Sequence, residues 1–142
     1  MDYIELGYFG LFLICFLAAT ILPLASEGVL LLFLATSFDP TICLIVATIG
    51  NTLGGLTNYL LGMLGKKATL KKVFRSNAKF DKFKAKIERY GYWLGTITWV
   101  PFIGDPLTVA LGFFRVKFIP FLVLMTLAKG LRYYVIIFLW SQ

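Results

Sequence analysis

The run from Gly7 to Phe38 is too long to cross a bilayer once as a helix and too short to cross it twice, because one crossing takes about 20 apolar residues. Pro23-Leu24-Ala25-Ser26-Glu27 breaks its interior, and a proline both removes a helix donor and clashes with the preceding turn. A second run, Tyr90 to Phe114, is interrupted in the same way by Pro101-Phe102-Ile103-Gly104-Asp105-Pro106. Unwound backbone at membrane depth persists only where protein or a water-filled cavity satisfies its polar groups. Each run therefore reads as a re-entrant helical hairpin, over 7–38 and 90–114, with an acid at its tip. Two uninterrupted stretches, 40–65 and 118–140, are each long enough for a full transmembrane helix. A bilayer is implied by composition: 59% of the 142 residues are hydrophobic and 15% charged, against about 45–50% and 25% in soluble domains. A soluble chain this short could not bury so much apolar surface. The expected fold is one all-α integral membrane domain over 1–142.

The net charge of +7 is unevenly spread, with ten of the 14 Lys and Arg between Lys66 and Arg89 and none before them. Short loops rich in Lys and Arg stay in the cytoplasm, so the basic segment 66–89 is placed there. Phe80, Phe83 and Ile87 recur at helical spacing among Lys79, Lys82, Lys84, Lys86 and Arg89, which predicts a cytoplasmic amphipathic helix. Such a helix lies on lipid headgroups or stands as a solvated loop helix. Nucleic acid is not an expected partner, since no base-reading module accompanies the charges. With this loop inside, span 40–65 begins outside near Asp39 and the first hairpin returns to its own side, leaving the N-terminus outside. The second hairpin keeps Arg115 and Lys117 inside. Pro101 and Asp105 follow Pro23 and Glu27 at a constant offset of 78 residues. Two hairpin-plus-span units entering from opposite sides form an inverted-topology repeat, an arrangement used by transporters.

The chain has no histidine, which removes Ser-His-Asp and Cys-His catalysis and His-ligated zinc or haem. Cys15 and Cys43 lie inside apolar runs and read as buried free thiols. No nucleophile-base pair or metal cluster is legible, so no enzyme activity, metal or cofactor is expected. Glu27 is the leading site residue, because an intramembrane carboxylate costs about 2.5–3.5 kcal/mol. It either handles a proton or substrate beside Ser26, or caps the helix that follows. Asp105, between Gly104 and Pro106, has the same two readings, with Asp105 as N-cap and Pro106 as first helical residue. Lys129 and Arg132 share a helical face near mid-span, where they pair with Glu27 or Asp105 or bind an anionic headgroup. Gly50 and Gly54 have the spacing of close helix packing, and Asn51 and Asn58, on one face, either support that packing or line a polar path. If the repeat holds, Glu27 and Asp105 meet at a common depth within reach of Lys129 or Arg132.

Three motifs, Pro23-Leu24-Ala25-Ser26-Glu27, Gly50-Asn51-Thr52-Leu53-Gly54-Gly55-Leu56-Thr57-Asn58-Tyr59-Leu60-Leu61-Gly62 and Trp99-Val100-Pro101-Phe102-Ile103-Gly104-Asp105-Pro106, together resemble the DedA family of bacterial membrane proteins in its YqaA-like branch. The resemblance covers nearly the whole chain. This family, which includes the VTT-domain lipid scramblases of eukaryotes, implies facing re-entrant hairpins and the movement of polar lipids such as undecaprenyl phosphate, coupled to protons. Glu27 matches the family's membrane-embedded glutamate. The chain departs from the family at an Arg-Phe-x-Pro-x-x-Arg motif, whose two arginine positions align with Trp99 and Asp105. Phosphate-lipid binding cannot be carried over on those positions, which leaves Lys129 and Arg132 as the intramembrane cations.

The resemblance thus implies a flippase or scramblase of the bacterial inner membrane. Its expected partners are membrane lipids, anionic or phosphate-bearing ones among them, and further copies of the chain as a homo-oligomer. The competing reading is a non-transporting membrane protein that supports envelope assembly or protein partners. Topology can be tested separately from function. Single cysteines in a background lacking Cys15 and Cys43 are expected to react from outside at positions 2 and 39 and from inside at 76 and 116. Labelling of position 116 from outside alone rules out the second hairpin.

Overall fold

The computed structural model describes residues 3–20, 26–36, 38–65, 77–99 and 104–142. Within them the chain forms α1 (Tyr3–Thr20), α2 (Ser26–Ala35), α3 (Pro40–Leu64), α4 (Asn77–Tyr90), a 3₁₀ helix η1 (Gly91–Trp99), α5 (Gly104–Phe113) and α6 (Phe118–Trp140). Every element among the described residues is helical. Pro23 and Pro101 lie outside them, and so do the breaks expected there. Helices α3 and α6, of 25 and 23 residues, are long and apolar enough to cross a membrane. At 1.5 Å per residue they measure about 37 and 34 Å against a hydrocarbon core of about 30 Å. Their outer faces expose Ile45, Ile49 and Leu53 on α3 and Val123, Leu127 and Leu131 on α6. A belt of this size on a monomer belongs against lipid rather than water.

Local chemistry fixes where α3 begins. Asp39 Oδ1 accepts hydrogen bonds from the N–H groups of Thr41 (2.8 Å) and Ile42 (3.3 Å), and Pro40 follows as first helical residue, filling donors that a helix start leaves open. The same residue closes the first helix pair. Its N–H donates to Tyr8 Oη at 3.0 Å, and the Tyr8 ring stands edge-on to Phe38 with centroids 5.1 Å apart. α1 and α2 therefore run antiparallel, with the residues after α2 back at the level of Tyr8. α1 and α3 run side by side in one direction, with Phe12 against Gly50 and Phe16 against Gly54. α6 runs opposite to α3, with Tyr59 stacked on Phe121 at 5.1 Å and Thr48 against Gly130.

Two apolar clusters form, one toward each end of the spans. The first joins Leu11, Cys15, Leu30, Cys43, Ala47 and Tyr133 from α1, α2, α3 and α6. The second joins Tyr59, Ile87, Leu94, Leu107, Leu111, Phe121 and Met125 from α3, α4, η1, α5 and α6. Cys15 and Cys43 are free and buried in the first.

Two local features differ from the sequence reading. The stretch after Tyr90 is 3₁₀ rather than α-helical for nine residues, longer than the three or four residues such helices usually run. Gly91 enters it with φ of 56°. Within it Thr96 and Thr98 hydroxyls donate to the carbonyls of Trp93 (2.8 Å) and Gly95 (2.6 Å), three residues back, and the β-branched Thr96, Ile97 and Thr98 do little to favour an α-helix. The apolar edge of α4 is also turned inward, with Ile87 buried and Phe83 packed against the second cluster. Lys82, Lys84, Lys86 and Arg89 remain exposed.

In lipid, helix association relies on close packing and hydrogen bonds rather than a hydrophobic drive. Gly54 meets that need between α1 and α3, since a Cβ there would lie 2.5 Å from the Phe16 carbonyl oxygen and 2.6 Å from Ala19 Cβ. Gly54→Val is expected to force these helices apart and lower stability by about 2 kcal/mol, read as an earlier thermal unfolding in detergent. An unchanged transition would show that the contact is not needed.

Candidate functional site

The two spans are joined at their midpoints by a buried amide and a buried ammonium. Asn51, halfway along Pro40–Leu64, is 3% exposed, and Lys129, halfway along Phe118–Trp140, is 1% exposed. Lys129 Nζ donates to Asn51 Oδ1 at 2.6 Å. Its stem passes over Gly55, where a Cβ would come within 3.3 Å of Lys129 Cε. Arg132 Nη2, one turn along, reaches the same Asn51 oxygen at 3.4 Å and the Tyr133 hydroxyl at 3.1 Å. Asn51 Nδ2 donates to the Cys15 carbonyl at 3.0 Å. That bond fixes the amide's orientation, with its oxygen toward the cations and its nitrogen toward α1.

The acid of this centre arrives from α2. Glu27 Oε1 lies 3.4 Å from Arg132 Nε, with the side chains 31% and 12% exposed respectively. α2 begins at Ser26, so Glu27 stands in its first turn, where the helix N-terminus favours negative charge. The ion pair and a favourable position at the helix N-terminus thus coincide at this residue. Among the described residues the resulting centre holds two cations, one carboxylate and one amide at the middle of the spans, between the two apolar clusters. It can bind a proton at the carboxylate or an anionic group at the cations. Unscreened charges at this depth are costly unless paired.

The sequence-derived site residues are distributed as follows. Glu27, Asn51, Lys129 and Arg132 come together. Asn58 does not join them; its Nδ2 bonds the Ala19 carbonyl at the end of α1, one of the acceptors a helix terminus leaves open. Asp105 falls in the first turn of α5, which begins at Gly104, ahead of the expected cap. The side chains of Asp105, Pro106 and Ser26 lie outside the described residues, as do Pro23 and Pro101, so the expected meeting of Glu27 with Asp105 falls there too. Sequence reasoning did not single out Cys15, whose backbone oxygen holds Asn51, because a carbonyl leaves no signal in residue type. Tyr133, adjacent to Arg132, is fully buried and places its ring under the guanidinium, 4.9 Å from centroid to Cζ.

This arrangement defines the class: a polytopic helical membrane protein with a charged centre inside its spans. Comparison with known proteins makes the class specific. The VTT domain family matches residues 22–142, and the chain belongs to it, the DedA family to which its motifs pointed. It is 37% identical over 129 residues to inner membrane protein YqaA of Escherichia coli (strain K12), covering 90% of this chain and 87% of that one. Inner membrane protein YqaA of Shigella flexneri matches to the same extent. An uncharacterized protein of Haemophilus influenzae is 31% identical over 137 residues, 91% of this chain and 84% of that one. No solved structure matches.

Removing Asn51's side-chain oxygen takes away an acceptor shared by two cations. Asn51→Leu is expected to cost about 3 kcal/mol, the upper range for an unsatisfied buried group. Adding Lys129→Met to it is expected to recover part of that loss, because the double variant no longer buries the ammonium. Thermal unfolding of the two single variants and the double variant in one detergent measures the coupling; strict additivity would mean the two side chains do not depend on each other.

Proposed function

We propose that this protein is a lipid transporter of the bacterial inner membrane, carrying a polar or phosphate-bearing lipid past the Glu27–Arg132–Asn51–Lys129 centre. The observation that carries this reading is the centre itself. Among the described residues two cations stand at mid-span with the Glu27 carboxylate, and intramembrane ionisable groups of this kind mark substrate and proton paths. The name of the Escherichia coli relative supports the location.

The element register supports an inverted repeat. α2 and α5 each have ten residues and start at Ser26 and Gly104, while α3 and α6 start at Pro40 and Phe118. Both pairs keep the 78-residue offset between Glu27 and Asp105. Asn51 and Lys129 keep it as well. Cys43 and Ala47 of one cluster correspond to Phe121 and Met125 of the other. Residues that correspond by a two-fold axis and also touch must lie beside that axis, so the Asn51–Lys129 contact marks the centre of the repeat. On this reading α1–α2 and η1–α5 are re-entrant hairpins and the contact sits at the bilayer midplane.

The transport step follows from charge balance. With Glu27 ionised, Arg132 is held by the carboxylate. A proton on Glu27 weakens that pair and frees the guanidinium for a headgroup phosphate, which it can grip bidentately. Loss of the proton on the other side restores the pair and expels the anion. The cycle couples lipid movement to a proton without any cofactor.

Glu27→Gln keeps size and hydrogen-bonding capacity but cannot cycle a proton. In proteoliposomes carrying a headgroup-labelled anionic lipid, the variant is expected to lose transport and its pH dependence while reaching the wild-type protein level. Normal specific activity together with poor expression would instead assign Glu27 to folding and favour the non-transporting reading.

A further inference from the structure

Two buried hydroxyls, Thr48 Oγ1 and Thr52 Oγ1, have no hydrogen-bond partner. Threonines inside membrane helices commonly bond back to their own helix, as Thr57 does to the Leu53 carbonyl and Thr126 to the Leu122 carbonyl. Thr48 and Thr52 lie one turn apart on α3, on either side of Asn51, and leave that bond unmade. An unmade bond at a buried hydroxyl costs free energy and is accounted for when the group serves something that comes and goes.

Thr48 stands at the seam between the spans. A Cβ built on Gly130 would meet Thr48 Cγ2 at 3.5 Å and Thr48 Oγ1 at 3.8 Å. On the lipid side of this seam α3 and α6 part to leave an open groove of about 620 Å³, lined by Leu44, Thr48, Ile49, Leu127, Gly130 and Leu131. On the inner side stand Asn51, three residues from Thr48, and Lys129, next to Gly130. An apolar groove open to the bilayer thus backs onto a cationic centre, with a hydroxyl and a residue lacking a side chain between them.

We infer that this groove is the lateral entrance for a phospholipid: its acyl chain occupies the groove, and its phosphate passes between Thr48 and Gly130 to reach Lys129 and Arg132. The inference rests on the transporter reading above. The groove's lining suits hydrocarbon and carries no charged group, only the hydroxyls of Thr48, Thr126 and Tyr134, of which that of Thr126 is bonded to the Leu122 carbonyl. The charge behind the seam complements a single phosphate. Thr48 and Thr52 supply donors along the way, since neither hydroxyl is engaged by its own helix.

The substitutions separate passage from folding. Thr48→Val removes an unpaired buried hydroxyl from an isosteric side chain, so thermal stability is expected to hold or rise. The transport rate is expected to fall about fivefold, the rate equivalent of one hydrogen bond. Gly130→Leu fills the seam from the lipid side and is expected to stop transport. Gly130→Ala adds a methyl at ordinary contact distance and is expected to lie between it and wild type. A phospholipid bearing a photoreactive acyl chain, incubated with purified protein, is expected to label peptides containing Thr48 or Gly130, and the Gly130→Leu variant far less. Wild-type protein that is labelled there but moves no lipid overturns the transport reading and leaves the groove occupied. Transport at the wild-type rate in both Thr48→Val and Gly130→Leu, or label that avoids both helices, overturns the lateral entrance.

Discussion

A buried ammonium must find acceptors wherever the fold leaves it, and the placement of Lys129 at the centre of its span dictates much of what surrounds it. Asn51 supplies the acceptor on α3. Holding that amide in position takes the Cys15 carbonyl of α1, and holding Arg132 beside it takes Glu27 of α2. Four elements are therefore tied to one another at a single depth. A slide of either span by one turn would separate Lys129 from Asn51 and cost a buried charge an acceptor in a medium that cannot hydrate it. The polar layer thus sets the register, and the apolar clusters on either side of it fill the space that register leaves.

Small residues make this geometry reachable. Lys129 can lie flat across α3 because Gly55 presents no side chain beneath its stem, and α1 comes near enough for its carbonyls to accept from Asn51 and Asn58 because Gly54 yields the room. Hydrogen bonds between membrane helices are individually modest. Their value here is directional, since an amide satisfied from both sides permits one arrangement of three helices.

The two spans were legible because twenty or more apolar residues in a row admit few other readings, and helices run over Pro40–Leu64 and Phe118–Trp140 where they were expected. Proline chemistry predicts breaks at Pro23 and Pro101, which lie outside the described residues. Glu27, Lys129 and Arg132 could be named because a charge at that depth is expensive. What the sequence left open was pairing. Spacing places Asn51 and Asn58 on one face yet cannot distinguish the amide that meets the cations from the one that closes α1. The long 3₁₀ stretch was hidden for another reason: its apolar pattern suits any membrane helix, and its backbone bonds are decided by glycines and threonine hydroxyls that carry little hydropathy signal. The inward turn of α4 depends on Ile87 finding a cluster built from four other elements.

The ion pair between Glu27 and Arg132 also bears on how the chain enters the membrane. Every acid of the first 65 residues is synthesised before any Lys or Arg, and the cation that pairs with Glu27 belongs to the last helix. Glu27 therefore reaches the bilayer with no ionic partner, at a cost of about 2.5–3.5 kcal/mol if placed at depth. Until α6 arrives, water is what can solvate that carboxylate. The last helix brings Arg132, so the order of synthesis and the charge pattern together make α6 the element that completes the ion pair.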